Sequence, residues 1–192
     1  MMKKDLGVVQ AVWPMPVLMV AAYNEDGSVN VMNAAWGMIC DSDQIALFLS
    51  ADHKTSKDIV ERKAFTVALA DKAHMAAADF FGIASGNTMA DKFERSGLTA
   101  RKSAFVDAPV IEEFPVVMEC ELKDVVEKGD FLCYVGRIVN AAAEESVLSA
   151  NGKIDPAKVG ALMFDQFQHG YYTVGEHVGQ AWNAGKDLMK KA

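Results

Sequence analysis

Residues 116–139 have the sequence VVMECELKDVVEKGDFLCYVGRIV, and this stretch decides the fold class. Apolar and charged residues alternate in its first half, as they do in a half-buried β-strand. Met118, Cys120 and Leu122 share one face of that strand, and Glu119, Glu121 and Lys123 share the other. Lys128-Gly129-Asp130 is a turn signal, and an apolar run follows over 131–139. The pattern predicts an antiparallel β-hairpin.

Further strand patterns lie on both sides of this hairpin. We predict strands over 17–23, 29–35, 44–49, 65–70 and 171–174, with Asp26-Gly27 as a hairpin turn between the first two. Helices are predicted over 55–63, 74–81, 91–95 and 141–149. Most strands are joined by turns and few helices intervene. The sequence therefore predicts a mainly β protein, an antiparallel barrel with peripheral helices rather than a doubly wound sheet.

Length, charge and cysteine usage restrict the class of protein. The 192 residues predict one domain over 1–192, with a polar tail over 184–192 that frays. The net charge of −7 argues against a general partner for nucleic acid or anionic membranes. Cys40, Cys120 and Cys133 form no C-x-x-C pair, which indicates reduced thiols and a cytoplasmic protein. From the polar first residues we expect no signal peptide, and no apolar stretch of the given sequence is long enough to predict a bilayer-spanning helix.

An anion site is predicted where the strand over 44–49 ends. Ser50 follows that strand, and the next loop opens a helix in which Thr55 is the predicted N-cap and Asp58 its partner three residues later. The first N–H groups of a helix are unpaired and attract anions. Ser50, Thr55 and Ser56 add hydroxyl groups, and Lys54 adds a positive charge. These groups suit a terminal phosphate monoester.

Other kinds of chemistry find no support in the sequence. Neither a G-x-G-x-x-G nor a G-x-x-x-x-G-K-[ST] motif occurs, so the standard nucleotide fingerprints are missing. The four histidines show no H-E-x-x-H spacing and the cysteines do not cluster, which argues against a metal site. There is no G-x-S-x-G motif of a serine hydrolase. These motifs predict no catalytic residue.

Short segments along nearly the whole chain resemble one known family. They are Pro14–Val17, Asp26–Asn30, Ala35–Gly37, Ser50, Lys54-Thr55, Asp58-Ile59, Asp79–Gly82, Ser85-Gly86, Asp91–Phe93, Ala108–Glu112, Glu119-Cys120, Gly129-Asp130, Gly152–Asp155 and Tyr172–Glu176. In this order and spacing they resemble the flavin reductase-like, FMN-binding split-barrel proteins, and more closely the flavoredoxin-type branch. The resemblance implies a six-stranded antiparallel Greek-key split barrel with flanking helices. It also implies noncovalently bound FMN and a homodimer with the flavin near the subunit interface.

The resemblance assigns roles to residues. Ser50, Lys54, Thr55 and Ser56 would hold the FMN phosphate, whereas Asn30, Met32, Asn33, Ala34 and Ala35 would lie against the isoalloxazine edge. Trp36 would close the side of the pocket, Lys92 would supply a second charge, and His53 would contact the phosphate or the ribityl chain. Each also has a plainer interpretation: Trp36 as a core residue, Asn33 as a strand end, Lys92 as an ion-pair partner of Asp91 and Glu94, and His53 as a solvated loop residue. A compact monophosphate site predicts FMN rather than FAD.

Two functions remain open at this point. The first is an NAD(P)H-dependent flavin oxidoreductase, with NADH or NADPH as electron donor. The second is a flavoredoxin-like carrier that passes electrons between protein partners. The family's reductases usually have a tyrosine where this chain has Phe164, and no histidine lies between Val139 and Val159 to seat nicotinamide. Several aromatic residues could form the contacts of a homodimer, and the alternative is that they fill the core of the monomer. They are Trp13, Trp36, Phe164, Tyr171, Tyr172 and Trp182.

Overall fold

The computed structural model describes residues 2–128 and 131–190. The strands are β1 (Met15–Pro16), β2 (Leu18–Tyr23), β3 (Val29–Ala34), β4 (Gly37–Asp41), β5 (Gln44–Leu49), β6 (Ala64–Leu69), β7 (Ala100–Lys102), β8 (Pro109–Ile111), β9 (Val116–Lys128), β10 (Phe131–Ala143), β11 (Leu162–Asp165) and β12 (Gly170–Thr173). The helices are α1 (Lys54–Arg62), α2 (Met75–Ile83), α3 (Lys92–Ser96) and α4 (Pro156–Val159), with 3₁₀ turns at Glu145–Val147 and Lys186–Lys190.

A seven-stranded sheet in the order β3-β2-β6-β9-β10-β5-β4 forms the body of the protein. All of its neighbouring strands are antiparallel. Its edge strands β3 and β4 are consecutive in the chain and are joined by only Ala35 and Trp36, so the sheet curls and one end of each edge strand comes close to the other. At that seam a Cβ on Gly37 would lie 2.7 Å from the side chains of both Leu18 and Leu47, which explains the glycine. The predicted mainly β, antiparallel class is confirmed, with seven strands rather than six in the main sheet.

The β9–β10 hairpin forms as the sequence predicts, from Val116 opposite Ala143 to Lys128 opposite Phe131. Its predicted turn at Gly129-Asp130 lies outside the described residues. The predicted helix over 141–149 is wrong, because β10 continues to Ala143 and pairs there with β9. Three consecutive alanines favour a helix locally, but pairing with a neighbouring strand outweighs that small preference. Only a 3₁₀ turn at Glu145–Val147 follows within the predicted range.

Alternating side chains of the sheet fill two cores. The barrel interior contains Leu18, Val20, Leu47, Phe65, Val67 and Tyr134. The outer core contains Met19, Val31, Ala78, Phe81, Phe93 and Phe114, contributed by the opposite face of the sheet and by α2 and α3. Packing of α2 on this face brings its C-terminal end beside β3, and α1 lies against β2 and β3 at the same edge. This edge carries the candidate site.

Within the described part of the chain, no helix is both long and apolar enough to cross a membrane. The single domain over 1–192 and the frayed tail over 184–192 stay predictions.

Candidate functional site

The N-terminus of α1 has no side-chain cap. The helix begins at Lys54 with His53 at the N-cap position, and the His53 side chain accepts no hydrogen bond from the first turn. The predicted N-cap role of Thr55 is therefore wrong, because Thr55 already lies inside the helix and is buried there. The N–H groups of the first turn retain their capacity to bind an anion, and the helix dipole favours one.

A buried hydrogen-bond network fixes the first turn of α1 against β3. Asn30 donates through Nδ2 to Thr55 Oγ1 at 2.8 Å and to Asp58 Oδ2 at 2.9 Å. Asp58 is also ion-paired with Lys54. Since Thr55 Oγ1 accepts from Asn30, its own hydroxyl hydrogen remains available to a ligand. The network explains why Asp58 faces Lys54 and Asn30 instead of capping the helix.

A cavity of about 270 Å³ opens at this helix end. Its walls come from β3, the start of α1, the end of α2 with the loop that follows, and α3. The lining residues are Met32, Asn33, His53, Lys54, Thr55, Phe81, Gly82, Ile83, Ala84, Ser85, Gly86 and Lys92. Six of the twelve predicted site residues, from three separate parts of the chain, thus meet around one cavity.

Lys92 is the cavity's unusual group. It is only 3% exposed, and no carboxylate of the described residues lies within ion-pair distance of its ammonium group. Its Nζ donates to the carbonyl oxygen of Ala84 at 3.5 Å. Burial lowers the pKa of Lys92 from 10.5 to about 8, while Asp58 opposes the shift. The surface ion pair with Asp91 and Glu94 is therefore wrong, and a buried cation in this position favours an anionic ligand.

His53 and Lys54 complete the charged rim of the cavity. Partial desolvation lowers the pKa of His53, with Asp52 raising it and Lys92 lowering it. The imidazole is consequently neutral at pH 7 and offers a hydrogen bond rather than a charge. Lys54 is compensated by Asp58. The uncompensated positive charge of the site therefore resides on Lys92.

The structure does not bring the other six predicted residues into the cavity. Asn30 lies behind Thr55 and acts through it. Ala34 packs in the barrel interior. Ser56 is buried, and its hydroxyl donates to the carbonyl oxygen of Ser50 at 2.7 Å, so this pair stabilises the loop between them. Ala35 and Trp36 follow β3 beyond the cavity.

Trp36 lines a different, largely apolar cavity of about 370 Å³ with Met15, Pro16, Met38 and Phe48. Its side chain is 48% exposed. The interpretation of Trp36 as a core residue is therefore wrong, and the structure does not place it in the wall of the cavity beside Lys92.

Sequence reasoning missed the segment Phe81–Gly86 as part of the site. It ends α2 and crosses the cavity, and Gly82 packs against Asn33. A Cβ on Gly86 would lie 2.8 Å from Asn30 Oδ1 and 3.2 Å from Lys54 Cβ, so only glycine allows this close approach. The signal that could have found it is Ser85-Gly86-Asn87, a turn sequence directly after a predicted helix.

The family model described as "Flavin reductase like domain" matches residues 11–169. The chain belongs to this family. It is 37% identical to the flavoredoxin of Desulfovibrio vulgaris (Miyazaki F), whose structure superposes with a TM-score of 0.91 over 96% of this chain and 100% of that one. A flavoredoxin from Methanosarcina acetivorans is 26% identical, with a TM-score of 0.87 over 97% of this chain and 100% of its own.

A more distant neighbour has the same fold. Nitrilotriacetate monooxygenase component B from Bacillus cereus is 19% identical, with a TM-score of 0.80 over 93% of this chain and 100% of that one. The predicted split-barrel family is therefore confirmed, and with it the predicted class, a redox protein that works through flavin.

Proposed function

We propose that the cavity beside β3 holds the phosphate end of noncovalently bound FMN. One observation carries this proposal: the uncapped N-terminus of α1 and the buried, uncompensated Lys92 border the same cavity. A phosphate monoester carries up to two negative charges at neutral pH and accepts several hydrogen bonds. It would satisfy the free N–H groups of α1, the Thr55 hydroxyl and the Lys92 ammonium group together.

Other residues of the same cavity could contact the remaining parts of a flavin nucleotide. Met32 provides an apolar surface, and Asn33 donates to the carbonyl oxygen of Ala78 at 3.0 Å, which leaves its own carbonyl oxygen to accept from a ligand. The cavity's volume, about 270 Å³, falls just below the range of about 300–1,000 Å³ typical of ligand pockets. We infer that the ring extends beyond it. Bound FMN supplies the hydride and electron chemistry, and the protein positions it.

We propose further that the protein is an NAD(P)H-dependent flavin oxidoreductase. Membership in the flavin reductase-like family supports this activity. The second candidate is a flavoredoxin-like electron carrier between protein partners, which the 37% identity to the Desulfovibrio flavoredoxin supports. Phe164 in place of the tyrosine usual in the family's reductases also favours the carrier, because one group that helps to bind nicotinamide is then missing.

Rapid mixing distinguishes the two functions. The FMN-loaded protein is mixed with NADH and, separately, with NADPH, while the flavin absorbance is followed. Bleaching within the turnover time of ordinary enzymes, about 0.1 s, supports the reductase. Bleaching that takes minutes, together with rapid oxidation of the dithionite-reduced protein by a one-electron carrier protein, supports the carrier instead. Failure to retain FMN at all would contradict both.

We propose a homodimer as the functional form. The edge strand β4 and the residue before it expose large apolar side chains, namely Trp36 (48%), Met38 (66%) and Ile39 (56%). Such a patch is unusual on a monomer and is characteristic of an association surface. Trp36 belongs to this patch and follows Asn33 of the flavin cavity by three residues. A second copy of the chain bound to the patch would therefore cover the exposed part of the flavin ring. The free thiols of Cys40, Cys120 and Cys133 agree with a cytoplasmic protein.

A further inference from the structure

A second cavity adjoins the proposed flavin cavity. We call it the turn cavity, because the turn between β2 and β3 forms most of its wall. Asn24, Glu25, Asp26 and Ser28 line it from the turn, and Lys54 and Gly86 line it from the side of the flavin site. Lys54 and Gly86 border both cavities. The turn cavity has a volume of about 530 Å³, so a group attached to a bound phosphate can extend into it.

The wall of the turn cavity is fixed by hydrogen bonds. Asp26 accepts through Oδ1 from the backbone N–H of Ser28 at 2.9 Å and from its hydroxyl at 2.6 Å. Asn24 donates to the same hydroxyl at 2.8 Å. From α1, Arg62 donates to the carbonyl oxygen of Glu25 at 2.9 Å. The position of the two acidic residues in the turn is therefore determined by the fold.

The turn presents to this cavity two carboxylates, Glu25 and Asp26, that form no ion pair among the described residues. Hydrogen bonds from Ser28 lower the pKa of Asp26, and Lys54 lowers it further, so Asp26 is ionised at neutral pH. In the described part of the chain, no lysine or arginine lies within ion-pair distance of Glu25 or Asp26. Lys54, the nearest cation on the cavity wall, is paired with Asp58. The turn cavity is thus acidic, whereas the site around Lys92 is basic.

We propose that Glu25 and Asp26 select a flavin mononucleotide against a flavin dinucleotide. This inference rests on the proposed function, which places the phosphate at the N-terminus of α1. A monoester concentrates its negative charge there. A dinucleotide divides its negative charge between two phosphates. With the first phosphate at the helix N-terminus, the second phosphate and its adenosine would lie beyond Lys54 and Gly86, in the turn cavity. Two carboxylates then repel it.

Titration of the apoprotein with FMN and with FAD tests the selection. The test variant is the double substitution Glu25→Gln and Asp26→Asn, in which asparagine keeps the acceptor that holds Ser28. The control is Glu144→Gln with Glu145→Gln, at the exposed 3₁₀ turn after β10, which changes the net charge equally but lines neither cavity. Both are measured at ionic strengths of about 0.01 M and about 0.15 M, where screening lengths are about 30 Å and about 8 Å.

The proposal predicts that wild-type protein binds FMN more tightly than FAD. The test variant should reduce the ratio of the two dissociation constants about threefold to tenfold at the lower ionic strength, and less at the higher. The control should leave the ratio unchanged. An unchanged ratio in the test variant, an equal change in the control, or tighter wild-type binding of FAD overturns the selection. Failure of wild-type protein to bind FMN overturns the proposed function instead.

Discussion

At the scale of single residues, Lys92 is the strongest indication that the ligand is an anion. A lysine that is 3% exposed without a carboxylate partner destabilises the folded apoprotein, because its charge is removed from water. The sequence resemblance pointed to Lys92, but its burial depends on packing between α2, α3 and β3 and could not be predicted. The same holds for Glu119. The alternation of residues in β9 predicts that Glu119 faces solvent. In the structure Glu119 is buried, and its carboxylate accepts hydrogen bonds from Ser103 and, at 2.6 Å, from Asn140.

Replacement of Lys92 by methionine should therefore change affinity and stability in different directions. We expect FMN to bind about tenfold to a hundredfold more weakly, since a charge-assisted contact is lost. The free energy of unfolding of the apoprotein should stay equal or rise by up to about 3 kcal/mol. Calorimetric titration and urea unfolding measure the two effects, with the exposed Lys72→Met as control. Wild-type affinity in Lys92→Met would show that this lysine does not contact the phosphate.

The lowered pKa of Lys92, about 8, makes FMN binding depend on pH. A bound phosphate favours the protonated lysine, so the association constant should fall by up to about tenfold per pH unit above pH 8. For the apoprotein the sign is opposite. Between about 8 and 10.5, the unfolded chain binds more protons at this lysine, and the free energy of unfolding should rise with pH through that range.

Titrations with FMN and urea unfolding across this pH range check both trends, and Lys92→Met should lose both. An equal pH dependence of binding in the variant would assign it to another group.

At the scale of elements, most strands and the three longer helices follow from hydrophobic periodicity and turn residues. The exceptions have physical reasons. The sequence of β4 shows no strand pattern, because four of its five residues are exposed and it depends on pairing with β5. The sequence predicts the start of α1 one residue too late and its N-cap two residues too late, because Asp58 bonds to Asn30 rather than capping the helix. The turn sequence Ser85-Gly86-Asn87 marks the segment after α2, but the close approach of Gly86 to Asn30 and Lys54 depends on tertiary packing and is not visible in the sequence.

Two glycines in this segment allow a matched comparison. A methyl group on Gly86 would lie 2.8 Å from Asn30 Oδ1, so we expect Gly86→Ala to destabilise the apoprotein by about 1–3 kcal/mol and to weaken FMN binding. Gly82 lies in α2, and its added methyl group would make ordinary contacts of 3.5 Å and more with Asn33. Gly82→Ala should therefore stabilise the helix by up to about 1 kcal/mol. Thermal unfolding that ranks the two variants in the reverse order would contradict this account.

At the scale of the whole molecule, the fold class was predictable because hairpins dominate the sequence, but the surface was not. Aromatic residues in the sequence do not reveal whether they fill the core or face solvent. The structure separates them: Phe164 and Tyr171 pack against the outer core, whereas Trp13 and Trp36 are each 48% exposed and Trp182 is 95% exposed. This division could only follow from the three-dimensional packing.

The exposed apolar surface predicts that the protein associates with a second copy. Light scattering of the FMN-loaded protein at micromolar concentration should give about twice the chain mass of 20.8 kDa. Replacing Met38 and Ile39 by lysine should shift the mass toward the monomer, because the charges would be buried in the interface. A wild-type particle of the chain mass would contradict the dimer.

The central claim is that the N-terminus of α1 and Lys92 hold a phosphate, and a comparison of FMN with riboflavin tests it most directly. The two flavins differ only in that phosphate. We expect the wild-type apoprotein to bind FMN about a hundredfold or more tighter than riboflavin, and Lys92→Met to reduce this ratio at least about tenfold while riboflavin affinity stays unchanged. Equal affinity of the wild-type protein for the two flavins, or an equal loss for both in Lys92→Met, would contradict the account.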